Sequence, residues 1–304
     1  MKVLVSLIGE QPIPNLLPLR YFKPSACLGV HSDYTEKAAA RLATLTKGLV
    51  EIWLLKVNAY DIRAIRDSLT AEIQGRGILP QEMLLNLTGG TKPMSLAAYL
   101  TAAELGAPVI YLQSEGRQSR LYTFSPGNPA LVEETCLPGL IIIDDYLRAH
   151  IDSITTRRTK PDQAGHVFEQ AVLDALRDVV DEIKPNVNLQ GTVDLDMVVR
   201  CENQVGLVEA KLGSNHLKMA IDQLNTAAGR EYLGTYTQKF LVSDQDWSRF
   251  SDLKALAKSR QIVVVELPGY GRHRSLSQQE IALLRDTILD GLGRQPIVNG
   301  KSKI

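Results

Sequence analysis

The residues with the clearest chemical potential are three acids and a lysine in two neighbouring runs, VDLDMVV and GLVEAKL. Side chains alternate between the two faces of a β-strand, so Asp194 and Asp196 share one face of the first run. Glu209 and Lys211 share one face of the second run by the same rule. A hairpin turn centred on residues 202–203 places Asp196 opposite Glu209 and Asp194 opposite Lys211.

Two carboxylates that face each other on a sheet repel and need a compensating charge. A divalent cation supplies one, because Mg²⁺ and Mn²⁺ prefer carboxylate oxygens. Asp196 is then the principal metal ligand because it faces Glu209, and Asp194 is the second choice. Lys211 can orient a water or offset charge on a phosphate. The alternative is a solvent-facing strand pair in which Asp194 and Lys211 form an ordinary ion pair without catalytic function.

A second chemical feature is the stretch NLTGGTKPM, residues 86–94, which lies between a strand-like MLL and the helical SLAAYLTAAELG. We expect Thr88 to cap this helix and Pro93 to lie in its first turn. The glycines let a phosphate approach the backbone amides, and Lys92 adds positive charge at the helix N-terminus. The alternative is a glycine-containing turn that binds nothing.

This loop differs from the common nucleotide-binding motifs. A Walker A loop requires glycine before the lysine, where Thr91 stands, and the G-x-G-x-x-G pattern is absent. ATP hydrolysis and dinucleotide binding are therefore disfavoured. Two further loops, Gly9–Asn15 and His31–Asp33, follow strand-like runs and are expected at the same sheet edge. Their small polar side chains and free amides suit a phosphodiester ligand.

The elements that must position these residues alternate between strand and helix. Strand-like runs VLVSLI, ACLGV, VEIWLLKV, MLLNL and VIYLQ are separated by helical stretches, one of them from about Ala59 to Gln74. This order predicts a mostly parallel sheet with right-handed crossovers. Residues 114–140 are expected to hold a hairpin and loops. We predict a first domain over 1–150, a linker over 151–163 and a second α/β domain over 164–304.

Net charge, cysteine count and the length of the apolar runs limit the possible classes of protein. The 304 residues have a formal net charge of zero, so bulk charge predicts no polyanion partner. Three scattered cysteines favour a reducing cytoplasm over a disulfide framework or a zinc site. The apolar run at the N-terminus is too short for a signal peptide, and no run is long enough to span a membrane.

Three segments together, SLIGEQPIPNLLPLRYFKP, LGVHS and NLTGGTKPMSLAAY, resemble the CARF domain, the CRISPR-associated Rossmann-type sensor of cyclic oligoadenylates. The resemblance covers about the first 140 residues. It implies a homodimer whose two lysine-bearing loops hold a cyclic second messenger, with cyclic tetra-adenylate as the expected ring. The ring contacts that it implies are Gly9, Glu10, Gln11, Pro12, His31, Ser32, Thr88, Gly89, Gly90, Thr91, Lys92 and Met94.

The second half resembles the PD-(D/E)xK nuclease superfamily in its spacing Asp196–x₁₂–Glu209–x–Lys211, although Leu195 stands where proline precedes the first acid. The resemblance implies a restriction-endonuclease-like α/β domain. It matches Glu169 to the helical glutamate that often completes the metal site.

By the same resemblance, Gln223 takes the place of a helical glutamine. The implied metal set for Mg²⁺ or Mn²⁺ is Asp196, Glu209 and the backbone carbonyl of Ala210, with Lys211 and Glu169 as further catalytic residues.

The two resemblances together imply a cyclic-oligoadenylate-activated, metal-dependent nuclease of type III CRISPR antiviral defence. One alternative is a restriction or repair nuclease that ignores such rings. The other is a non-catalytic nucleotide-sensing regulator. The residues leave open whether the nucleic-acid substrate is DNA or RNA, and whether the sensor half degrades its activator.

Overall fold

The computed structural model describes residues 2–115, 118–156 and 164–293. Its contacts divide the chain into two α/β units. The first unit runs to Ile141 and includes Arg148–His150, and the second comprises Ile142–Leu147 and the residues from Ile151 onward. No helix in these described ranges is long and apolar enough to cross a membrane.

The first unit is built on a seven-stranded sheet in the order β3-β2-β1-β4-β5-β6-β7. Its elements are β1 (Val3–Leu7), α1 (Ile13–Phe22), β2 (Ala26–His31), α2 (Glu36–Leu45), β3 (Glu51–Lys56), α3 (Ile62–Gly75), a 3₁₀-helix (Pro80–Glu82), β4 (Met83–Asn86), α4 (Lys92–Leu105), β5 (Val109–Glu115), β6 (Gln118–Ser125) and β7 (Asn128–Cys136). Strands β1 to β5 are parallel, and β6 and β7 add an antiparallel hairpin. The predicted parallel sheet and hairpin are confirmed.

The parallel strands bring three loops to one edge of this sheet. Leu7 pairs with Val30, and Ser6 pairs with Asn86, so β1, β2 and β4 end at nearly the same level. Strand β1, which is apolar except for Ser6, is buried at every position, as expected for a strand covered on both faces. The loops after these strands therefore leave the sheet together.

Helices α3 and α4 share a core with the strands beneath them. Ile65, Leu69 and Ile73 of α3 meet Ala97 and Ala98 of α4 in one buried cluster. The predicted start of α3 at Ala59 is wrong by three residues. The Asp61 side chain accepts a hydrogen bond from the Ala64 N–H, and this cap fixes the first turn at Ile62.

The second unit is built on a six-stranded sheet in the order β13-β12-β11-β10-β9-β8. Its elements are α5 (Ile143–His150, shared with the first unit), β8 (Ile154–Thr156), α6 (Ala164–Leu176), β9 (Glu182–Leu189), β10 (Val193–Cys201), β11 (Gln204–Lys211), α7 (Leu217–Ala227), β12 (Gln238–Ser243), a 3₁₀-helix (Trp247–Arg249), α8 (Ser251–Ser259), β13 (Ile262–Glu266), α9 (Pro268–His273) and α10 (Gln278–Gly291). Strands β8 to β11 are antiparallel, and β11 to β13 are parallel.

The central hairpin of this sheet has the predicted register. Met197 pairs with Val208, and Cys201 pairs with Gln204, which leaves Glu202 and Asn203 in the turn. Glu202 takes a left-handed backbone conformation there, with φ of 52°.

The predicted linker is partly sheet. Residues 154–156, which were expected to be linker, pair with β9 as strand β8. Two consecutive threonines follow Ile154, and β-branched side chains suit a pleated edge. Residues 151–153 of the predicted linker precede β8, and residues 157–163 lie outside the described residues.

Candidate functional site

Asp196 on β10 and Glu209 on β11 face each other in the hairpin. The Asp196 N–H donates to Glu209 Oε2 at 3.4 Å, and the Ala210 N–H donates to Asp196 Oδ2 at 2.9 Å. The Asp196 side chain is 0% exposed and that of Glu209 is 1% exposed. The structure thus brings the two carboxylates together as the spacing predicts, but it buries them fully.

Lys211 holds these two carboxylates in a three-membered ion cluster. Its Nζ lies 3.1 Å from Asp196 Oδ2 and 2.5 Å from Glu209 Oε1, and its side chain is 21% exposed. The ion pair between Asp194 and Lys211, which was the non-catalytic alternative, is therefore not the arrangement adopted. The ammonium is the member of the cluster that reaches towards solvent.

Asp194 is held by its other neighbours. Asn188 on β9 donates to the Asp194 carboxylate at 2.8 Å. The Gln223 side chain on α7 donates to the Asp194 backbone carbonyl. Gln223 therefore fixes β10 two residues before Asp196, which is a positioning role. The second-choice metal ligand, Asp194, is tied to the adjacent strand.

Burial, together with the nearby Asp196 charge, raises the pKa of Glu209 to about 8, although Lys211 opposes the rise. Burial acts to lower the pKa of Lys211, but the charges of Glu209 and Asp196 and its hydrogen bonds to them outweigh burial and raise it. Two buried acids around one ammonium carry an excess of negative charge. A proton or a further cation stabilises such a cluster.

The donor set fits a hard divalent cation. Carboxylate oxygens of Asp196 and Glu209 and the carbonyl of Ala210 are the ligand types that Mg²⁺ and Mn²⁺ prefer, and Mg²⁺ retains several waters. Within the described ranges no group of three His, Cys, Asp or Glu side chains is placed to hold a metal. The Glu169 carboxylate lies 3.5 Å from His166 Nδ1 on its own helix, α6, and its place in the metal set stays a prediction.

In the first unit, the loops after β1 and β4 approach each other through glycines. A Cβ on Gly89 would lie 2.0 Å from the Leu7 carbonyl oxygen, and one on Gly9 would lie 3.1 Å from the Gly90 nitrogen. Gly90 also has a φ of +71°, in the left-handed region that favours glycine. The glycines thus let two loop backbones touch at the edge where the ligand is expected.

The predicted N-cap at Thr88 is wrong, because Thr91 caps α4. The Thr91 hydroxyl accepts from the Met94 N–H at 3.3 Å and donates to the Ala59 carbonyl at 2.6 Å. The Thr88 hydroxyl instead accepts from the Leu112 N–H at 2.8 Å, which ties the loop to β5. Both hydroxyls are therefore used by the fold. Pro93 lies in the first turn of α4 as predicted.

The candidate ring contacts differ in accessibility. Lys92, the first residue of α4, is exposed together with Gly90. Partly buried candidates are Gly9, Glu10, Gln11, Thr88, Gly89 and Thr91, and buried ones are Pro12, His31, Ser32 and Met94. The Met94 side chain belongs to the apolar core, and His31 Nδ1 lies 3.1 Å from the Ser32 carbonyl oxygen. A ligand would meet the Gly90–Lys92 side of the loop first.

Sequence reasoning missed the hydrogen bonds that join three buried polar residues beneath these loops. The Ser6 hydroxyl donates to Asn15 Oδ1 at 2.7 Å, and Asn86 Nδ2 donates to Ser6 Oγ and to the Pro14 carbonyl, each at 3.0 Å. This network joins the ends of β1 and β4 to α1. For Ser6 and Asn86 the signal was present as a single polar residue in each of the apolar runs VLVSLI and MLLNL.

Comparison with known proteins bears on both units. Residues 3–146 match the Card1 CARF domain family, and no curated protein matches the chain by sequence. Can2 from Sulfobacillus thermosulfidooxidans, solved in complex with cyclic tetra-adenylate, is similar with a TM-score of 0.72 at 16% identity over 90% of this chain and 98% of Can2. Protein VC1899 from Vibrio cholerae is similar with a TM-score of 0.69 at 14% identity over 96% of this chain and 99% of VC1899.

A third solved structure, a type III CRISPR defence DNA nuclease activated by cyclic oligoadenylate, has a TM-score of 0.56 at 15% identity. The match covers 93% of this chain but 44% of that longer protein. Identities this low show a shared fold. Residues 3–146 of this chain are therefore a CARF domain with a Rossmann-like fold, which precedes a second α/β domain in a protein of Can2-like fold.

Proposed function

We propose that this protein is a divalent-metal-dependent nuclease of type III CRISPR antiviral defence, activated by a cyclic oligoadenylate. The observation that carries the proposal is the buried Asp196–Glu209 pair, which Lys211 bridges. This pair occurs in the same chain as a match to the CARF domain family over residues 3–146. A like-charged pair fully removed from water needs a functional reason, since hydrophobic replacements are often as stable.

The second unit supplies the residues for phosphodiester hydrolysis. A bound Mg²⁺ or Mn²⁺ would polarise the scissile phosphate and lower the pKa of a bound water. Asp196, Glu209 and the Ala210 carbonyl are the groups that would hold it. Lys211 donates hydrogen bonds from its partly exposed ammonium, and it would stabilise charge that develops on the phosphate oxygens or orient the attacking water.

The first unit supplies the residues for ring binding. Lys92 is an exposed cation at the N-terminus of a 14-residue helix, α4, whose dipole also favours an anion. The phosphates of the ring would supply the negative charge that pairs with Lys92. Cyclic tetra-adenylate is the activator we propose, in keeping with the ligand of the Can2 structure.

A homodimer would present two such loops to one symmetric ring. Leu96 and Leu100 follow Lys92 at four-residue intervals on α4, and both are exposed. Residues spaced by four lie on one face of a helix, so Lys92 is continuous with an apolar surface. A second copy of the chain is the occupant that we propose for it, because the same contact would bring two Lys92 side chains to one ligand.

The test is a cleavage assay on supercoiled plasmid, single-stranded DNA and RNA. Each substrate is incubated with Mg²⁺ or Mn²⁺, with and without cyclic tri-, tetra- or hexa-adenylate. We expect cleavage only when metal and a ring are both present, with cyclic tetra-adenylate the most effective. Cleavage without any ring would instead indicate an ungated restriction or repair nuclease. Ring binding without cleavage under every condition would indicate a non-catalytic regulator.

A site variant separates the two halves of the proposal. Glu209→Gln keeps the shape of the side chain but removes a metal-binding charge, so it should abolish cleavage while ring binding stays intact. Glu231→Gln, which changes an exposed acid in the same unit, is the matched control and should cleave like the unmodified protein. Full cleavage by Glu209→Gln would contradict the assignment of the catalytic site.

A further inference from the structure

Tyr60 is an exposed aromatic side chain close to the loop that we assign to ring binding. It is 77% exposed, more than any other aromatic side chain that the structure describes. It lies between β3 and α3, directly after Ala59 and before the helix cap Asp61. An aromatic ring presented to solvent in this way is accessible to a stacking partner.

The backbone around Tyr60 is fixed on both sides. Its own N–H donates to Asn58 Oδ1 at 3.2 Å, and the next residue, Asp61, caps α3. The preceding residue, Ala59, is buried in the core of the unit. The side chain is therefore exposed while its attachment point is held, which reduces the ordering cost of binding.

One hydrogen bond joins the segments that carry Tyr60 and Lys92. The Thr91 hydroxyl donates to the Ala59 carbonyl at 2.6 Å, so Tyr60 and Lys92 each follow directly after a residue of that contact. The same Thr91 hydroxyl caps α4, which begins at Lys92. Thr91 thus acts as a positioning residue that links an aromatic side chain and a cation at the starts of two helices.

We propose that Tyr60 is a stacking platform for a purine base of the cyclic oligonucleotide whose phosphate Lys92 binds. The inference rests on the proposed ring-sensing function and adds to it the residue that recognises the base. Each nucleotide of such a ring joins an anion to a flat aromatic base through one sugar. A lysine and an exposed tyrosine on adjoining segments match these two chemical groups, and base–aromatic stacking needs no hydrogen-bond partner.

The test is calorimetric titration of cyclic tetra-adenylate into the full chain and its variants. Tyr60→Ala should weaken binding about tenfold to a hundredfold, as loss of one base–aromatic stack does. Tyr60→Phe keeps the aromatic face and should bind within about twofold of the unmodified protein, because stacking uses the ring and not the hydroxyl. Tyr236→Ala is the matched control, because Tyr236 is 64% exposed and belongs to the second unit.

The dependence of ring affinity on salt concentration separates the contribution of stacking from that of charged contacts. Lys92→Ala should flatten the dependence of affinity on salt concentration, since one phosphate contact is lost. Tyr60→Ala should lower affinity by the same factor at every salt concentration and leave that slope unchanged.

Three outcomes would overturn an assignment, and they are distinguishable. If the unmodified protein binds no ring, the proposed ring-sensing function fails before Tyr60 is tested. If the unmodified protein binds and Tyr60→Ala binds equally well, the stacking role is wrong and ring sensing stands. If Tyr60→Ala changes only self-association in sedimentation, with unchanged affinity per ring, Tyr60 belongs to a surface between copies. Because the side chain is exposed, its removal opens no cavity, and an unchanged melting temperature verifies the fold.

Discussion

Lys211 is the residue on which the charge balance of the candidate catalytic site depends. Asp196 and Glu209 are fully buried, and Lys211 is the cation that hydrogen-bonds to both. Removing one partner from a buried ion cluster leaves uncompensated charge, which costs more than the cluster itself contributes to stability. The cluster is therefore sensitive to loss of the ammonium and receptive to a different cation.

We predict that Lys211→Met lowers the free energy of unfolding by roughly 3 kcal/mol in the absence of metal. Added Mn²⁺ should then raise the melting temperature of this variant more than that of the unmodified protein, because no ammonium competes for the carboxylates. Thermal unfolding with EDTA and with increasing Mn²⁺ measures both effects.

Lys254→Met is the matched control for this experiment. Lys254 pairs with Glu266 at the surface of the same unit, and exposed pairs contribute about 0–1 kcal/mol. The melting temperature of Lys254→Met should differ little from that of the unmodified protein. Added Mn²⁺ should raise the melting temperatures of these two proteins equally. A Lys211→Met variant that is as stable as the unmodified protein and indifferent to Mn²⁺ would argue against a cation site at Asp196 and Glu209.

Residue spacing predicted part of this site and could not predict the rest. Strand alternation and one turn position were enough to place Asp196 opposite Glu209, since both lie in a single hairpin. The partner of Asp194 is Asn188, which comes from β9 across a different strand pair. The same limit applies to Thr88 and Thr91, because their hydroxyls bind Leu112 and Ala59, which are distant in sequence.

At the scale of elements, the phosphate loop depends on close contact between two strand ends. The segment at Gly89 lies against the end of β1, and the buried Ser6–Asn86 contact joins the same two strands below it. Neither contact follows from local propensity, since each needs the order β1-β4 in the sheet. The sequence predicted that these loops share an edge but not that their backbones touch.

We predict that Gly89→Ala destabilises the first unit and weakens ring binding. The added methyl group would lie 2.0 Å from the Leu7 carbonyl, so the loop after β4 must move away from β1. Overpacking of this kind costs about 1–3 kcal/mol. Denaturant unfolding and ring titration measure the two effects.

Gly75→Ala is the control for this variant, because an added Cβ at the end of α3 meets nothing within 4 Å. Alanine is the better helix former, so Gly75→Ala should be neutral or slightly stabilising. Gly89→Ala with unmodified stability and unmodified ring affinity would show that the close contact at Gly89 is unnecessary.

Strands were predicted at the right places where a run of apolar residues within the strand itself marked them. The parallel strands of the first unit appear where apolar runs predicted them, and the later hairpin appears within residues 114–140. Strand β8 was missed because ITT is too short to show periodicity, and it is a strand only by pairing with β9. Such an element is defined by its partner and not by its own composition.

At the scale of the whole molecule, the proposed function requires a coupling between two units of different chemistry. A ligand can shift a conformational equilibrium only by binding one state more tightly than the other. The coupling is reciprocal for binding, so a nucleic-acid substrate that favours the active state should also tighten ring binding. Substitutions of ring-binding residues should change the ring concentration needed for activation. Substitutions of catalytic residues should instead change the cleavage rate at saturating ring.

Lys92→Ala tests this separation in the intact protein. Loss of a hydrogen-bonded cation at the ring phosphate should raise the cyclic tetra-adenylate concentration for half-maximal cleavage about tenfold or more. The rate at saturating ring should stay unchanged, because Asp196, Glu209 and Lys211 are untouched. The measurement is the initial rate of cleavage against ring concentration, with Lys47→Ala, an exposed lysine of the same unit, as the control. If Lys92→Ala left the half-maximal concentration unchanged, the loop at residues 88–94 would not be the receptor for the activating ring.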